Sequence, residues 1–225
     1  MIAVIVPAHN EQEHIGACLS ALRVAADSPR LGGEPVLLTV VLDACTDHTG
    51  QIAQRLGATT VSVDSRNVGI ARARGAELAL AAGARWLAFT DADTVVTPEW
   101  LAAQLALRVE AVVGTVAVHD WGVYGPAMQQ HFEATYTDAD GHRHIHGANL
   151  GVSAEAYRRA GGFEPLASSE DVALVAKLQV SGASIAWSAA PRVVTSARRA
   201  FKAPGGFGAT LASVGLALGV AGAAG

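Results

Sequence analysis

Trp86-Leu87-Ala88-Phe89-Thr90-Asp91-Ala92-Asp93-Thr94 joins a short apolar run to two carboxylates at alternate positions. The apolar run reads as a buried strand. If the chain stays extended, period-two geometry puts Asp91 and Asp93 on one face. Two close carboxylates repel each other unless a cation lies between them. Mg²⁺ and Mn²⁺ take oxygen ligands, and Mg²⁺ is commonly held by one or two carboxylates plus substrate phosphates. A plainer reading makes one Asp the cap of the next helix. Thr97-Pro98-Glu99 already supplies an N-cap Thr, a Pro at N1 and an acidic first turn. Asp-x-Asp alone is a weak motif and takes its meaning from its surroundings.

Those surroundings alternate strand and helix patterns. Residues 2–6 are wholly apolar, as in a central parallel strand. Asn10 with Glu13 fits a capping box, and Ile15, Cys18, Leu19 and Leu22 follow at helical spacing. Residues 36–42 read as the second strand, ending at Asp43. Asp47 is placed to cap a helix that Gly57 stops, and residues 59–63 form a third strand. Asn67 opens a helix through Ala71 and Leu78, closed by Gly83. Residues 86–89 are the fourth strand, and a helix through Leu101 and Leu105 follows. This is an α/β pattern, with a mostly parallel central sheet flanked by helices. Such sheets bind ligands outside the carboxyl ends of their strands. His9-Asn10-Glu11, Asp43, residues 64–67 and Asp91/Asp93 all fall at those ends. No Gly-x-Gly-x-x-Gly follows the first strand, which argues against a dinucleotide fold.

The second half loses this rhythm. Residues 111–118 read as a strand, and residues 119–146 as a long irregular segment suited to a binding loop or lid. Gly147-Ala148-Asn149-Leu150-Gly151-Val152 is rich in small residues and permits close backbone approach. Ser153 opens a short helix that stops at Gly161-Gly162-Phe163. Ser168 or Ser169 opens another, ending near Gly182, and residues 185–187 and 193–194 read as short strands.

The 225 residues are 51% hydrophobic and 16% charged, enough for a substantial core. The net charge of −4 speaks against a nucleic-acid partner. Cys18 and Cys45 make no disulfide scaffold, so a reduced, cytoplasmic setting is expected. The opening Met1-Ile2-Ala3-Val4-Ile5-Val6-Pro7 lacks a basic flank and reads as a strand, not a signal peptide. Residues 205–225 carry no charge and are rich in Gly and Ala. Their length would span a bilayer, but a small-residue helix packed on the domain, or a loose tail, is favoured over membrane contact.

Taken in order, these stretches resemble the family 2 glycosyltransferases of the GT-A, Rossmann-like nucleotide-diphospho-sugar transferase fold. The matching elements are Val6-Pro7-Ala8-His9-Asn10-Glu11, Val41-Leu42-Asp43-Ala44-Cys45-Thr46-Asp47-His48-Thr49, Asn67-Val68-Gly69-Ile70-Ala71-Arg72-Ala73-Arg74-Gly75, Asp91-Ala92-Asp93, Gly161-Gly162-Phe163 and Glu170-Asp171. Each is modestly specific, and their common order carries the resemblance. It implies an enzyme that moves a sugar from a nucleotide-diphosphate donor, here expected to be a UDP-sugar, to an acceptor hydroxyl with inversion. The acceptor is a glycan, a lipid or a small metabolite. One GT-A domain is expected over 1–204, with a donor half (1–118), an acceptor half (119–204) and an apolar tail (205–225).

The resemblance also implies roles. Pro7, His9, Asn10, Glu11, Asn67 and Ala92 belong to the nucleotide-sugar site, with Pro7 and His9 against the base. Asp43 is suited to accept from a base N–H, although the family often has two adjacent acids where this chain has Leu42-Asp43. Arg72 and Arg74 are candidates for phosphate or ribose, Arg being the natural partner of diphosphate oxygens. Their plainer reading is a solvated helix face. Asp91 would meet the ribose or the metal, and Asp93 a Mg²⁺ or Mn²⁺ ion bridging the diphosphate. Asp171 matches the general base, with Glu170 as its neighbour or an acceptor contact. Gly147, Ala148, Asn149, Gly162 and Phe163 would line the acceptor side. The plainer reading of Glu170 and Asp171 is two first-turn acids complementing the helix dipole.

Two features depart from the family pattern. Val193-Val194-Thr195-Ser196-Ala197-Arg198-Arg199 lacks the His that many GT-A enzymes offer the metal. His142-x-His144-x-His146 is either a transition-metal site on one strand face or, the favoured reading, a polar lid with surface histidines. Arg192, Arg198, Arg199 and Lys202 form a late basic cluster for an acceptor phosphate, an anionic membrane surface or plain solvent. Two rival functions stay open: a nucleotidyltransferase, which releases pyrophosphate, and a non-catalytic nucleotide-sugar binding module.

Overall fold

An apolar strand without a polar face needs cover on both sides. Residues 2–6 obtain it at the centre of the sheet. The computed structural model describes residues 1–198 and 206–220. β1 (Ile2–Ala8) lies between β2 (Val36–Asp43) and β4 (Trp86–Phe89), both parallel to it, and β3 (Thr59–Val63) pairs parallel outside β2. The crossovers are α1 (Ile15–Ala26), α2 (Thr49–Arg55) and α3 (Val68–Ala81). β5 (Val95–Val96) and α4 (Trp100–Ala106) then lead to β6 (Ala111–Gly114). α5 (Gly125–Thr135) precedes β7 (Leu150–Ser153) and α6 (Ala154–Arg159). α7 (Glu170–Val180), β8 (Ile185–Ser188), β9 (Val193–Val194) and α8 (Phe207–Ala217) complete the described elements.

The seven-stranded sheet has the order β3-β2-β1-β4-β7-β6-β8. β7 runs antiparallel to both its neighbours, with Leu150 opposite Phe89, while β8 is parallel to β6. This reversal matters for the site. It delivers residues 147–149, which precede β7, to the edge where β4 ends in Asp91 and Asp93.

Alternation along β1 divides the core. Ile2, Val4 and Val6 face α1 and α4 through Ile15, Leu19, Leu22, Trp100 and Leu101. Ala3 and Ile5 face α3, α6 and α7 through Ala71, Ala76, Ala79, Ala156, Leu174 and Leu178. A third cluster joins α5 to α8 through Val118, Trp121, Tyr124, Met128 and Leu211. Gly75 lets α3 sit against the sheet, since a Cβ there would meet the side chains of Ile5 and Val41.

Several local expectations hold. The Asn67 and Ser153 side chains cap α3 and α6 by accepting from Ile70 N and Ala156 N. Others change. α1 starts at Ile15 behind His14, with no side-chain cap. Asn10 instead takes a left-handed conformation (φ 51°) and accepts from Thr46 N at 2.8 Å. A polar side chain tying the ends of β1 and β2 together outcompetes a local capping box. α4 starts at Trp100, and Thr97 contributes its backbone carbonyl rather than its hydroxyl. β4 stops at Phe89, and Asp91–Asp93 lie in a turn closed by Thr94 N donating to Asp91 O at 3.1 Å. The two carboxylates therefore share a turn, not a strand face. The irregular 119–146 segment contains an 11-residue helix, α5. α8 buries Leu211 and Gly215, and Leu211 joins the third cluster. Among the described residues no helix is long and apolar enough to cross a membrane. The 204/205 boundary and residues 221–225 of the tail lie outside the described residues, as do Arg199 and Lys202 of the basic cluster.

Candidate active site

One cavity of about 870 Å³ opens at the carboxyl ends of β1, β2 and β4. Pro7, His9 and Glu11 reach it from β1, Asp43 from β2, and Arg66 and Asn67 from the turn before α3. His9 Nδ1 donates to the Asp43 carbonyl at 2.6 Å. The Asp43 carboxylate is buried and accepts four bonds: from Ser65 N and Arg66 N at 2.8 Å, Asn67 N at 2.7 Å and Ser65 Oγ at 3.1 Å. Burial pushes its pKa up, but the amides of Ser65, Asn67 and Arg66 prevail and hold it below the usual range. Asp43 thus clamps the 65–67 turn onto the mouth of the cavity.

Two arginines and four carboxylates form the charged floor. Arg72 is buried and donates to Glu170 through one terminal nitrogen and to Asp91 Oδ1, at 2.5 Å, through the other. Its guanidinium lies 5.9 Å from the Phe163 ring centroid, and its Nε–H has no protein partner among the described residues. Arg198 donates twice to Glu11, at 2.6 and 2.7 Å, and lies 3.2 Å from Asp93 Oδ2. Burial raises the Asp93 pKa to about 6 against the pull of Arg198, with Asp91 and Glu11 adding to the rise. Arg74 turns away from the cavity and pairs with Glu77 on the α3 surface.

Asp91 and Asp93 fit a hard divalent ion as oxygen donors on one cavity wall. Among the described residues no three His, Cys, Asp or Glu side chains converge closely enough to hold an ion alone. An ion held by these two carboxylates would take its remaining ligands from water or a bound molecule.

Asp171 lines the same cavity from the start of α7. Gly147 N donates to its Oδ2 at 2.7 Å, which orients the carboxylate. Gly147 is also where the chain passes Arg72, since a Cβ there would overlap the guanidinium. Ala148 lines the cavity, but Asn149 does not. Fully buried, Asn149 accepts from Trp100 Nε1 at 2.8 Å and donates to Thr115 O and Pro191 O at 2.7 Å, bracing the loops behind the site.

The profile of Glycosyl transferase family 2 matches residues 3–161. The chain belongs to this family. No curated protein sequence matches it. Among solved structures, Staphylococcus aureus TarS 1–349 with UDP-GlcNAc superposes with a TM-score of 0.66 at 16% identity, covering 96% of this chain and 65% of that one. The mannosyltransferase PcManGT of Pyrobaculum calidifontis, with GDP-Man and Mn²⁺, gives 0.64 at 22% identity, covering 88% and 57%. Glucosyl-3-phosphoglycerate synthase of Mycobacterium tuberculosis, with Mn²⁺, UDP and glucosyl-3-phosphoglycerate, gives 0.60 at 20% identity, covering 88% and 72%. The fold is GT-A. The chain spans 60% of one TarS 1–349 structure and 36% of a longer one.

Within this family 2 site, the expected residues separate. Pro7, His9, Glu11, Asp43, Asn67, Arg72, Asp91, Ala92, Asp93, Gly147, Ala148, Glu170 and Asp171 line the cavity. Asn10, Arg74, Asn149, Gly162 and Phe163 do not. Phe163 packs edge-on against Phe89, ring centroids 4.9 Å apart, and Gly162 makes the left-handed turn beside Tyr157. Glu170 is buried against Arg72 rather than turned to an acceptor. The late basic cluster splits as well: Arg198 points into the site, while Arg192 pairs with Asp138 at 2.5 Å on the surface.

The histidines make neither a strand face nor a surface lid. His142 is buried and donates through Nε2 to Val113 O at 3.1 Å. His144 stacks on Tyr136, centroids 4.1 Å apart. His146 Nε2 lies 3.0 Å from Tyr136 Oη, which itself accepts from Val116 N. Burial lowers the His146 pKa to about 4 against the pull of Asp171, with His144 and His142 adding to the fall. Sequence reasoning missed the wall that continues from here: Met128, Phe132, Tyr136, Phe207, Leu211 and Val214. Its only signals were the aromatic residues of 119–146 and the uncharged tail.

Proposed function

We propose that this family 2 protein transfers a sugar from a nucleotide-diphosphate donor to an acceptor hydroxyl, with inversion and with Asp171 as general base. The observation that carries the proposal is the placement of Asp91, Asp93 and Asp171 in one cavity, the first two on the turn after β4 and the third at the start of α7. A UDP-sugar is the preferred donor, since TarS and the phosphoglycerate synthase were both solved with uridine nucleotides. Residues 1–118 make the donor half and 119–204 the acceptor half. A chain with two cysteines, Cys18 and Cys45, suits a cytoplasmic, reducing setting.

In this mechanism Pro7, His9 and the Asp43-clamped 65–67 turn enclose the base. Arg72, its Nε–H unclaimed, faces the ribose or diphosphate. Asp91 and Asp93 would hold Mg²⁺ or Mn²⁺, which when bound neutralises charge on the departing diphosphate. Asp171, oriented by Gly147 N–H, accepts the acceptor's hydroxyl proton. The acceptor oxygen bonds to the anomeric carbon as that carbon's bond to the diphosphate oxygen breaks and the nucleoside diphosphate leaves. Asp171→Asn tests the assignment. Transfer is expected to fall by roughly 10²–10⁴, with nucleotide affinity near wild type in calorimetry. Equal loss of binding and transfer rejects Asp171 as the base.

A further inference from the structure

The cavity has a second character beyond its charged floor. From Asp171 a continuous path of contacts leads away from the carboxylates. Gly147 N holds Asp171; the next ring, His146, lies 5.8 Å from Phe207, and Phe207 lies 6.1 Å from Phe132. Phe132 stacks on Tyr136 at 4.4 Å. Met128 on α5 and Leu211 and Val214 on α8 extend this wall. Residues 206–220 contain no charged residue. Two threonine hydroxyls on α5 and α8 give their protons to the backbone of their own helices. Thr135 Oγ1 donates to His131 O at 2.8 Å and Thr210 Oγ1 to Gly206 O at 3.3 Å. At the outer end of α8, Leu216 and Leu218 are 68% and 41% exposed.

We infer that the acceptor is an alcohol with a hydrocarbon body, which lies between α5 and α8 and presents its hydroxyl to Asp171. A free sugar would set several of its hydroxyls against the carbon surface of Met128, Phe132, Phe207, Leu211 and Val214, and each of those would lose its bond to water unrepaid. An alkyl or isoprenoid body loses nothing there and gains from leaving water. The cavity volume, about 870 Å³, is near the upper end of the roughly 300–1,000 Å³ of single-ligand sites. The inference rests on the transferase reading and names the substrate class of the same site.

The test is calorimetric titration of the purified chain with 1-butanol, 1-hexanol, 1-octanol, 1-decanol, glycerol and glucose, with and without UDP. Affinity is expected to rise about fourfold per buried CH₂ along the alcohols, with glycerol and glucose not binding. Val214→Asp is expected to weaken decanol at least tenfold and leave UDP affinity unchanged. A flat series, glucose binding as tightly as decanol, or decanol affinity unaltered in Val214→Asp overturns the inference. Should Val214→Asp not fold, the wild-type slope alone decides. Decanol binding by a chain that binds none of UDP, GDP, CDP and TDP rejects the transferase reading and the acceptor role with it; nucleotide binding without decanol binding overturns this inference only. Geranylgeraniol offered free and in phosphatidylcholine vesicles, with the donor that binds, then distinguishes a dissolved acceptor from one drawn from a bilayer.

Discussion

Gly147 has no space for a side chain. A methyl group there meets the Arg72 guanidinium, which is not free to move because Asp91 and Glu170 hold it in a buried site. Breaking a buried pair on one side costs up to about 3–5 kcal/mol. Gly147→Ala is therefore expected to lower the urea midpoint by a large part of that and to weaken nucleotide binding. Wild-type stability in the variant would show that Arg72 yields easily. His146 supplies a pH dependence. Its pKa falls from 6.5 to about 4 on folding, so the unfolded chain binds more protons between those values. Stability is fully present above pH 6.5 and lost as pH falls toward 4. The contribution is at most about 3 kcal/mol. His146→Asn should flatten the Tm profile across this window, read by circular dichroism.

At the scale of elements, α3 carries the site on its first turn and depends on close approach to β1 and β2. In Gly75→Ala the new Cβ would lie 2.9 Å from Val41 Cγ2 and against Ile5, both in fully buried residues. Alanine gains up to about 1 kcal/mol of helix propensity, but overpacking costs about 1–3 kcal/mol. Destabilisation is expected, seen as a lower denaturant midpoint with an unchanged slope. Elements also differ in how plainly the chain announces them. β1 and β4 are unbroken apolar runs, and Asn67 and Ser153 mark helix starts by their own side chains. α5 carries no such mark. It begins at Gly125-Pro126 without a side-chain cap, and its direct burial is confined to Met128. β7 is four residues long with a glycine inside, so local pattern does not reveal that it runs backwards.

For the molecule as a whole, binding of a donor to the folded state must raise stability. A thermal-shift panel of UDP-, GDP-, CDP- and TDP-sugars with Mn²⁺ or EDTA is expected to show one stabilising nucleotide. At a hundredfold excess over Kd the gain is about 2.7 kcal/mol, roughly 5–11 °C for a chain of this size. No shift with any of the four would reject the donor site. Asp93→Ala should abolish the difference between the Mn²⁺ and EDTA arms.

The α/β class, the placing of polar residues at strand ends and the family motifs were all present in the linear chain, because apolar periodicity and short motifs are local properties. The partners of the charged groups were not. Arg72 meets Glu170 across 98 positions and Arg198 meets Glu11 across 187. No local pattern encodes such a pairing; it follows from which strand ends the sheet order brings together. Folding separated Arg72 from Arg74, two residues apart on one helix, into a buried floor and a solvated face. It turned a histidine triplet into an aromatic stack around Tyr136, and set α8 of the uncharged tail on the wall of the cavity that Asp171 also lines. Each outcome was decided by burial against a distant element, which exists only once the sheet has closed.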